Sequence, residues 1–284
     1  MNMIPKPDIR TELMLIDAAA ASTLLAMNTH NRPPKKVAVA AYARDMRAGN
    51  WRFTAEPIVF SNEGVLLDGQ NRLMAVQKSD TRIWFLIVYG VDERAQHNMD
   101  AGAKRSFADT LNLREPGVGN ANSVAALTRA VFLWENGGVQ GGKATPMSFS
   151  SKNPTIDELM QVFDANEPAL VNAVKVSRRI WDKRRGMSGA TYALAYYLFD
   201  ALDQDMNVIF WDHIINNNAP AGSPIAVLSD SILRWATVRD KPSGYVQLAI
   251  VIKAWNHWQD GQTPKQIRFA PAIETMPVPH AVVN

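Results

Sequence analysis

The residues best placed to do chemistry in this chain are Asp68-Gly69-Gln70-Asn71-Arg72, which follow directly on the apolar run Val65 to Leu67. A run of that kind suits a buried strand, and Leu73 and Val76 continue at helical spacing. Asp68 therefore stands where a helix N-cap would stand. Gly69 permits a tight backbone approach, and Arg72 falls in the first helical turn. Backbone N–H groups in that turn have no intrahelical partner, and the helix dipole adds partial positive charge. A guanidinium fork so placed can grip a phosphate. The plainer reading of the same spacing is a capped strand-to-helix turn whose Arg pairs with a surface carboxylate.

Two further groups invite the same chemistry. Gly102, Lys104, Arg105 and Ser106 put a permissive glycine and two cations at another helix start. With Gly69, Gln70, Asn71 and Arg72 as the floor, they would wall a cradle for a di- or triphosphate. Glu56, just before the first strand of this region, and Asp68 are carboxylates that could bind magnesium or act as a general base. Each has a bland alternative, a strand-edge surface residue for Glu56 and a helix cap for Asp68. Farther on, Arg178, Arg179, Lys183, Arg184 and Arg185 fall within eight residues, with Trp181 among them. Such a segment can track a phosphate backbone or stack a base. Cations also collect at helix C-termini for the dipole alone.

The string DGQNR, followed by Leu73-Met74-Ala75-Val76, resembles the DGQHR motif of the ParB/sulfiredoxin-like superfamily. That superfamily includes ParB proteins, sulfiredoxin, free-serine kinases and the phage proteins labelled ParB-like nuclease domain. Asn31-Arg32-Pro33 and the segment Tyr42 to Trp51 are similar to the helix that opens the phage and actinobacterial members. Met99 to Asp109 resembles their second motif, an Asp-x-Gly-x-x-Arg turn, and Lys253-Ala254-Trp255-Asn256 with Gly261 resembles their last helix. The likeness covers residues 30 to 112 well and the remainder loosely.

The resemblance implies an α+β N-terminal domain with a small mixed sheet, ParB/sulfiredoxin-like in fold, ahead of an all-α domain. It implies a nucleoside triphosphate as ligand, with magnesium, and a phage or prophage setting, hence the host cytoplasm. The family's His is replaced here by Asn71, which cannot carry a proton at neutral pH. Phosphate binding through Arg72 survives that change, whereas a His-dependent catalytic step does not.

Composition sets the bounds. A chain of 284 residues, 47% of them hydrophobic, can bury a sizeable core and is comfortable as two domains. No run of 18 apolar residues marks a membrane span, and the start of the chain does not read as a signal peptide. Zero cysteines exclude disulfides, thiol catalysis and thiolate metal sites. The five histidines (His30, His97, His213, His257, His280) lack ligand spacing, so no zinc site is expected. A reducing cytoplasm is the default compartment. The net charge of +3 is too small to argue for nucleic acid without the local cluster at the end of the Arg178–Arg185 segment.

The elements that must position these residues read as α/β at first. Helices are expected over Ile16–Met27 and Lys35–Ala48. Pro57–Phe60 and Val65–Leu67 suit strands joined by a hairpin turn at Ser61-Asn62-Glu63-Gly64, and Ile83–Tyr89 suits a central strand. Asp92 and Ser106 should cap short helices. Glu115-Pro116-Gly117-Val118-Gly119 punctuates the chain, giving domains 1–115 and 120–284. Beyond it, helices are expected at Ala121–Glu135, Thr155–Ala165, Pro168–Trp181, Ser188–Leu202, Met206–Asn217, Pro224–Thr237 and Ser243–Gln259. The glycine-rich stretch 136–153 reads as a surface loop, and the tail from Thr275 as loosely held.

Three function classes stay open. One is a nucleotide-dependent phosphoryl- or group-transfer enzyme using Asp68 or Glu56. Another is a non-catalytic, nucleotide-responsive DNA-binding protein. The third is a nuclease, which would need clustered carboxylates or a His base that the sequence does not show near the motif. A homodimer is compatible with the apolar helical half, and no membrane partner is expected.

Overall fold

Strand β1 (Arg10–Ile16) runs antiparallel to β4 (Ile83–Val91) in an unbroken register from Arg10 opposite Tyr89 to Ile16 opposite Ile83. Strand β2 (Ile58–Ser61) lies parallel to β4 on its other side, and β3 (Leu66–Asp68) closes a hairpin with β2. The sheet is therefore mixed, four-stranded and ordered β1-β4-β2-β3. The computed structural model describes residues 8–29, 31, 33–99, 106–114, 117–137 and 154–282. The glycine-rich stretch after Gly137 and the pair at 115–116 lie outside those residues.

β1 corrects the sequence reading, which had no strand there. Its alternation is hidden because both of its faces carry apolar side chains. Met14 and Ile16 point to the core, while Leu13 and Leu15 point to the other face. The expected helix shortens accordingly to α1 (Ala18–Leu25), with Asp17 at its N-cap accepting from the N–H of Ala20 at 2.9 Å.

Helices α1, α2 (Lys36–Arg47) and α3 (Gln70–Ser79) supply the apolar faces that meet the sheet. Ala21 and Leu24, then Val39, Ala43 and Met46, then Leu73, Ala75 and Val76 pack with Ile16, Ile58, Phe60, Leu66, Phe85 and Ile87 into one core. A 3₁₀ helix over Glu93–Asn98 follows β4 and is capped by Asp92.

The chain divides into two compact units, Met1–Lys104 and Arg105–Asn284. The second is helical among the described residues. It comprises α4 (Phe107–Asn112), α5 (Ala121–Glu135), α6 (Ile156–Lys183), α7 (Gly189–Asp200), α8 (Gln204–Asn216), α9 (Pro224–Thr237) and α10 (Gly244–Gln259). Phe107, Ala108 and Leu111 of α4 belong to the same core as α5, so α4 folds with the helical unit although it precedes the Glu115–Gly119 punctuation.

Two helices expected around Pro168 are one helix of 28 residues. The buried stripe Leu159, Phe163, Leu170, Ala173, Val174, Ser177 and Ile180 keeps helical spacing straight through the proline. Packing along that stripe outweighs the single backbone hydrogen bond that proline removes. At the centre, Trp255 of α10 stacks on Phe199 of α7 with centroids 4.2 Å apart, and Phe210 and Trp211 of α8 complete the aromatic cluster. No described helix is long and apolar enough to cross a membrane.

The tail is also corrected: it is stitched onto α10. The indole N–H of Trp255 donates to the carbonyl of His280 at 2.7 Å, Asn256 bonds Val278 and His280, and Met276 is buried.

Candidate functional site

The DGQNR residues span the turn from β3 into α3, and each polar side chain among them has an internal partner. Gly69, not Asp68, occupies the N-cap, with φ 103° and its carbonyl accepting from the N–H groups of Arg72 and Leu73. Glycine is required here on two counts. The backbone is left-handed, and a Cβ would stand 2.9 Å from the Ile58 side chain.

Asp68, freed from capping, pairs with Arg72 instead. The Arg72 Nη2 donates to Asp68 Oδ2 at 2.9 Å and to the carbonyl of Pro57 at 2.9 Å, while Nη1 donates to the carbonyl of Glu56 at 2.7 Å. The guanidinium side chain is only 11% exposed. It thus works as a clamp, holding the strand end at Asp68 to the segment entering β2. That segment needs holding, because Ala55 sits at φ 58°, a left-handed conformation that costs an alanine energy.

Glu56, the second candidate general base, projects into solvent with its side chain 77% exposed and its carboxylate 4.0 Å from Arg72. It touches the site through its backbone carbonyl rather than its acid.

Gln70 and Asn71 tie a different segment down. Gln70 is buried, and its Oε1 accepts from Asn28 Nδ2 at 3.1 Å. Asn31 Nδ2 donates to Asn28 Oδ1 and to the carbonyl of Leu66, both at 2.7 Å. Gln96 Nε2 donates to Asn31 Oδ1 at 2.9 Å and to the carbonyl of Leu67 at 3.1 Å. Asn71 Oδ1 accepts from the backbone N–H of Lys35 at 3.0 Å. Four amide side chains from three segments, Asn28 and Asn31, Gln70, and Gln96, so form a continuous relay around β3 and the start of α3. The sequence reading missed Asn28 and Gln96. Side-chain amides in connecting segments carry no periodic signal, and their partners lie 42 and 65 residues away.

Of the second group, Gly102, Lys104 and Arg105 lie outside the described residues. Ser106 belongs to the helical unit, where it caps α4. Its Oγ accepts from the N–H of Asp109 and donates to Asp109 Oδ2 at 2.7 Å, while its own N–H donates to the same carboxylate oxygen at 2.8 Å. That reciprocal pair is a capping box and occupies the serine in local structure.

The cationic cluster stands at the C-terminal end of α6. Arg178, Arg179, Lys183 and Arg185 are exposed, with Lys175 one turn upstream and only Asp182 opposing them within the segment. Arg185 lies over the ring of half-buried Trp181, its guanidinium carbon 4.2 Å from the centroid. Arg178 reaches Asn120 at 3.4 Å, a long and weak contact. Arg184 differs from the others. Its Nε donates to the carbonyl of Ile214 at 2.7 Å and its own carbonyl accepts the Tyr192 hydroxyl, so it knits α6 to α7 and α8. Four of the five predicted cations therefore remain available to a ligand, and Arg184 serves the fold.

Among the described residues no three His, Asp or Glu side chains converge in a way that could hold a metal ion. Compared with known proteins, the chain matches no family model, no curated protein and no solved structure.

Proposed function

We propose that this chain is a non-catalytic nucleic-acid-binding protein that grips the phosphate backbone with the C-terminal end of α6. The observation that carries this reading is the exposed set Arg178, Arg179, Lys183 and Arg185 on one helix end, with Arg185 preorganised over Trp181. Guanidinium and ammonium groups that neutralise phosphates release condensed counterions, and an arginine held on an aromatic ring loses less freedom when it binds. The ParB/sulfiredoxin-like resemblance of DGQNR, which stands between β3 and α3, favours DNA as the nucleic acid.

A nucleotide-dependent transfer reaction is less well supported. Arg72 would have to exchange two carbonyls and a carboxylate for the incoming phosphate, and Glu56 is turned to solvent. The nuclease reading finds no group of three His, Asp or Glu side chains among the described residues that could hold a metal ion.

The test is fluorescence anisotropy with labelled duplex and single-stranded oligonucleotides over a salt series. The variant combines Arg178→Ala, Arg179→Ala, Lys183→Ala and Arg185→Ala. Wild type should bind with strong salt dependence, and the variant should lose affinity. Its log–log salt slope should fall by roughly 3 to 4, about 0.9 per phosphate contact removed on a duplex. Equal binding by both proteins, or no binding by wild type at low salt, rejects the reading.

A further inference from the structure

Among the described residues β1 is the outermost strand of its sheet, and the ladder joining it to β4 runs without a bulge. Strands at a sheet edge are usually protected by proline, bulges or central charges. β1 has no proline, and its central residue is the exposed Leu13, between Glu12 and Met14. The face turned away from the helices is apolar and open. Leu13 is 62% exposed and Trp84, directly opposite Leu15, is 55% exposed, with Leu15 and Ile9 beside them.

The segment Ile9-Arg10-Thr11-Glu12-Leu13 is a chemical palindrome: apolar, basic, threonine, acidic, apolar. A two-fold axis that pairs a strand with itself in antiparallel fashion reads the sequence against its own reversal. With Thr11 on the axis, Arg10 of each copy faces Glu12 of the other, and Ile9 faces Leu13. Every one of these pairs is favourable across antiparallel strands. Moving the axis one residue to Glu12 sets two carboxylates against each other, and moving it to Leu13 leaves both Arg10 and Glu12 without an opposite charge across the seam. The charges thus select a single register. Arg10 and Glu12 already lie on one face of β1, 3.7 Å apart, so the pairing would build an alternating cluster of four charges.

We infer that a second copy of this chain docks on β1, joining the two four-stranded sheets into one eight-stranded sheet about a two-fold axis at Thr11. The pairing extends the apolar face carrying Leu13, Leu15 and Trp84 across both copies.

Because the chain contains no cysteine, a single engineered one reports the register cleanly. Thr11→Cys places two sulfurs opposite each other at a cross-strand separation that a disulfide can bridge. Under mild oxidation it should give a covalent dimer, whereas Leu15→Cys should not. Sedimentation of the full chain supplies the second measurement. Wild type should show a concentration-dependent dimer, Arg10→Glu should weaken it roughly ten- to hundredfold, and combining Arg10→Glu with Glu12→Arg should restore it. Arg10 is exposed and Glu12 half-buried at the strand edge, so circular dichroism is measured on each variant to establish that it keeps the fold. A wild type that stays monomeric overturns the inference, as does a dimer indifferent to Arg10→Glu or unrestored by the exchange. So does a folded Thr11→Cys protein that fails to crosslink.

Discussion

Arg72 and Asp68, four residues apart across the start of α3, form an ion pair at 2.9 Å inside a guanidinium clamp that also holds the carbonyls of Glu56 and Pro57. Their spacing allowed two readings, a phosphate site and an Arg paired with a carboxylate, and the contacts are those of the second. The two side chains satisfy each other. Arg72→Ala should therefore destabilise the protein by about 2–4 kcal/mol, because it leaves a partly buried carboxylate and two carbonyls without their charged donor. Arg72→Lys should recover little, since an ammonium cannot reproduce a planar fork serving three acceptors. Urea unfolding measures both. A neutral effect on stability combined with loss of nucleotide binding in calorimetry would restore the phosphate reading.

Two left-handed residues flank this clamp and should respond in opposite ways to exchange. Gly69→Ala meets Ile58 at 2.9 Å in a backbone region hostile to a side chain, and should cost roughly 1–3 kcal/mol. Ala55→Gly relieves a non-glycine residue at φ 58° and should stabilise by about 0.5–1 kcal/mol. Thermal unfolding of the pair checks both. Stabilisation by Gly69→Ala would mean that Ile58 and the turn relax far more readily than their packing implies.

How legible these features were depended on where their partners lay. Helix starts were easy in the second half, because Thr155, Ser188, Asp203, Ser223 and Ser243 each accept a hydrogen bond from a backbone N–H three residues on. The cap is a local interaction and shows in the residue types. The β2–β3 hairpin was legible for the same reason. β1 was not, because its pairing with β4 joins residues 67 to 79 positions apart and its apolar residues occupy both faces. Arg72 was conspicuous, and one of its two readings was an Arg paired with a carboxylate, but its full set of acceptors was not legible. Two of its acceptors are backbone carbonyls, which have no residue-type signature, and the fold brings them to it from 15 and 16 residues away. The cations after Arg178 were legible as a cluster. That Arg184 would turn inward to Ile214 depended on how α6 ends, which only packing decides.

Acid should reveal a local switch at the 3₁₀ helix. The Arg94 guanidinium, together with the Arg94 backbone N–H, holds the exposed Asp92 carboxyl down at about 2. Its unfolded value is about 3.9. A depressed folded value contributes stability that is fully present above the unfolded value and lost as pH falls through about 2. The difference in unfolding midpoint between wild type and Asp92→Asn should hence be constant above pH 4 or so and shrink toward zero near pH 2. Carbon-detected NMR of the carboxyl should give the same low midpoint in wild type, moving up toward the ordinary range in Arg94→Ala. An ordinary midpoint in wild type would show that the Asp92–Arg94 pair does not persist in solution.

The last residues of the helical unit should prove part of its core. Trp255, buried and stacked on Phe199, has its indole N–H satisfied by the carbonyl of His280, and Met276 and Pro279 are buried against the same unit. Ending the chain at Thr275 removes that acceptor, both bonds to Asn256 and two apolar side chains. The loss should reach about 3 kcal/mol or more, and tryptophan emission should shift to the red as water reaches Trp255. His280→Ala makes the contrasting case. It keeps the backbone acceptor and loses only the surface contact with Asp260 at 2.9 Å, so it should cost under about 1 kcal/mol. Denaturant unfolding followed by fluorescence separates the two, and an unchanged midpoint in the shortened chain would place the tail outside the core.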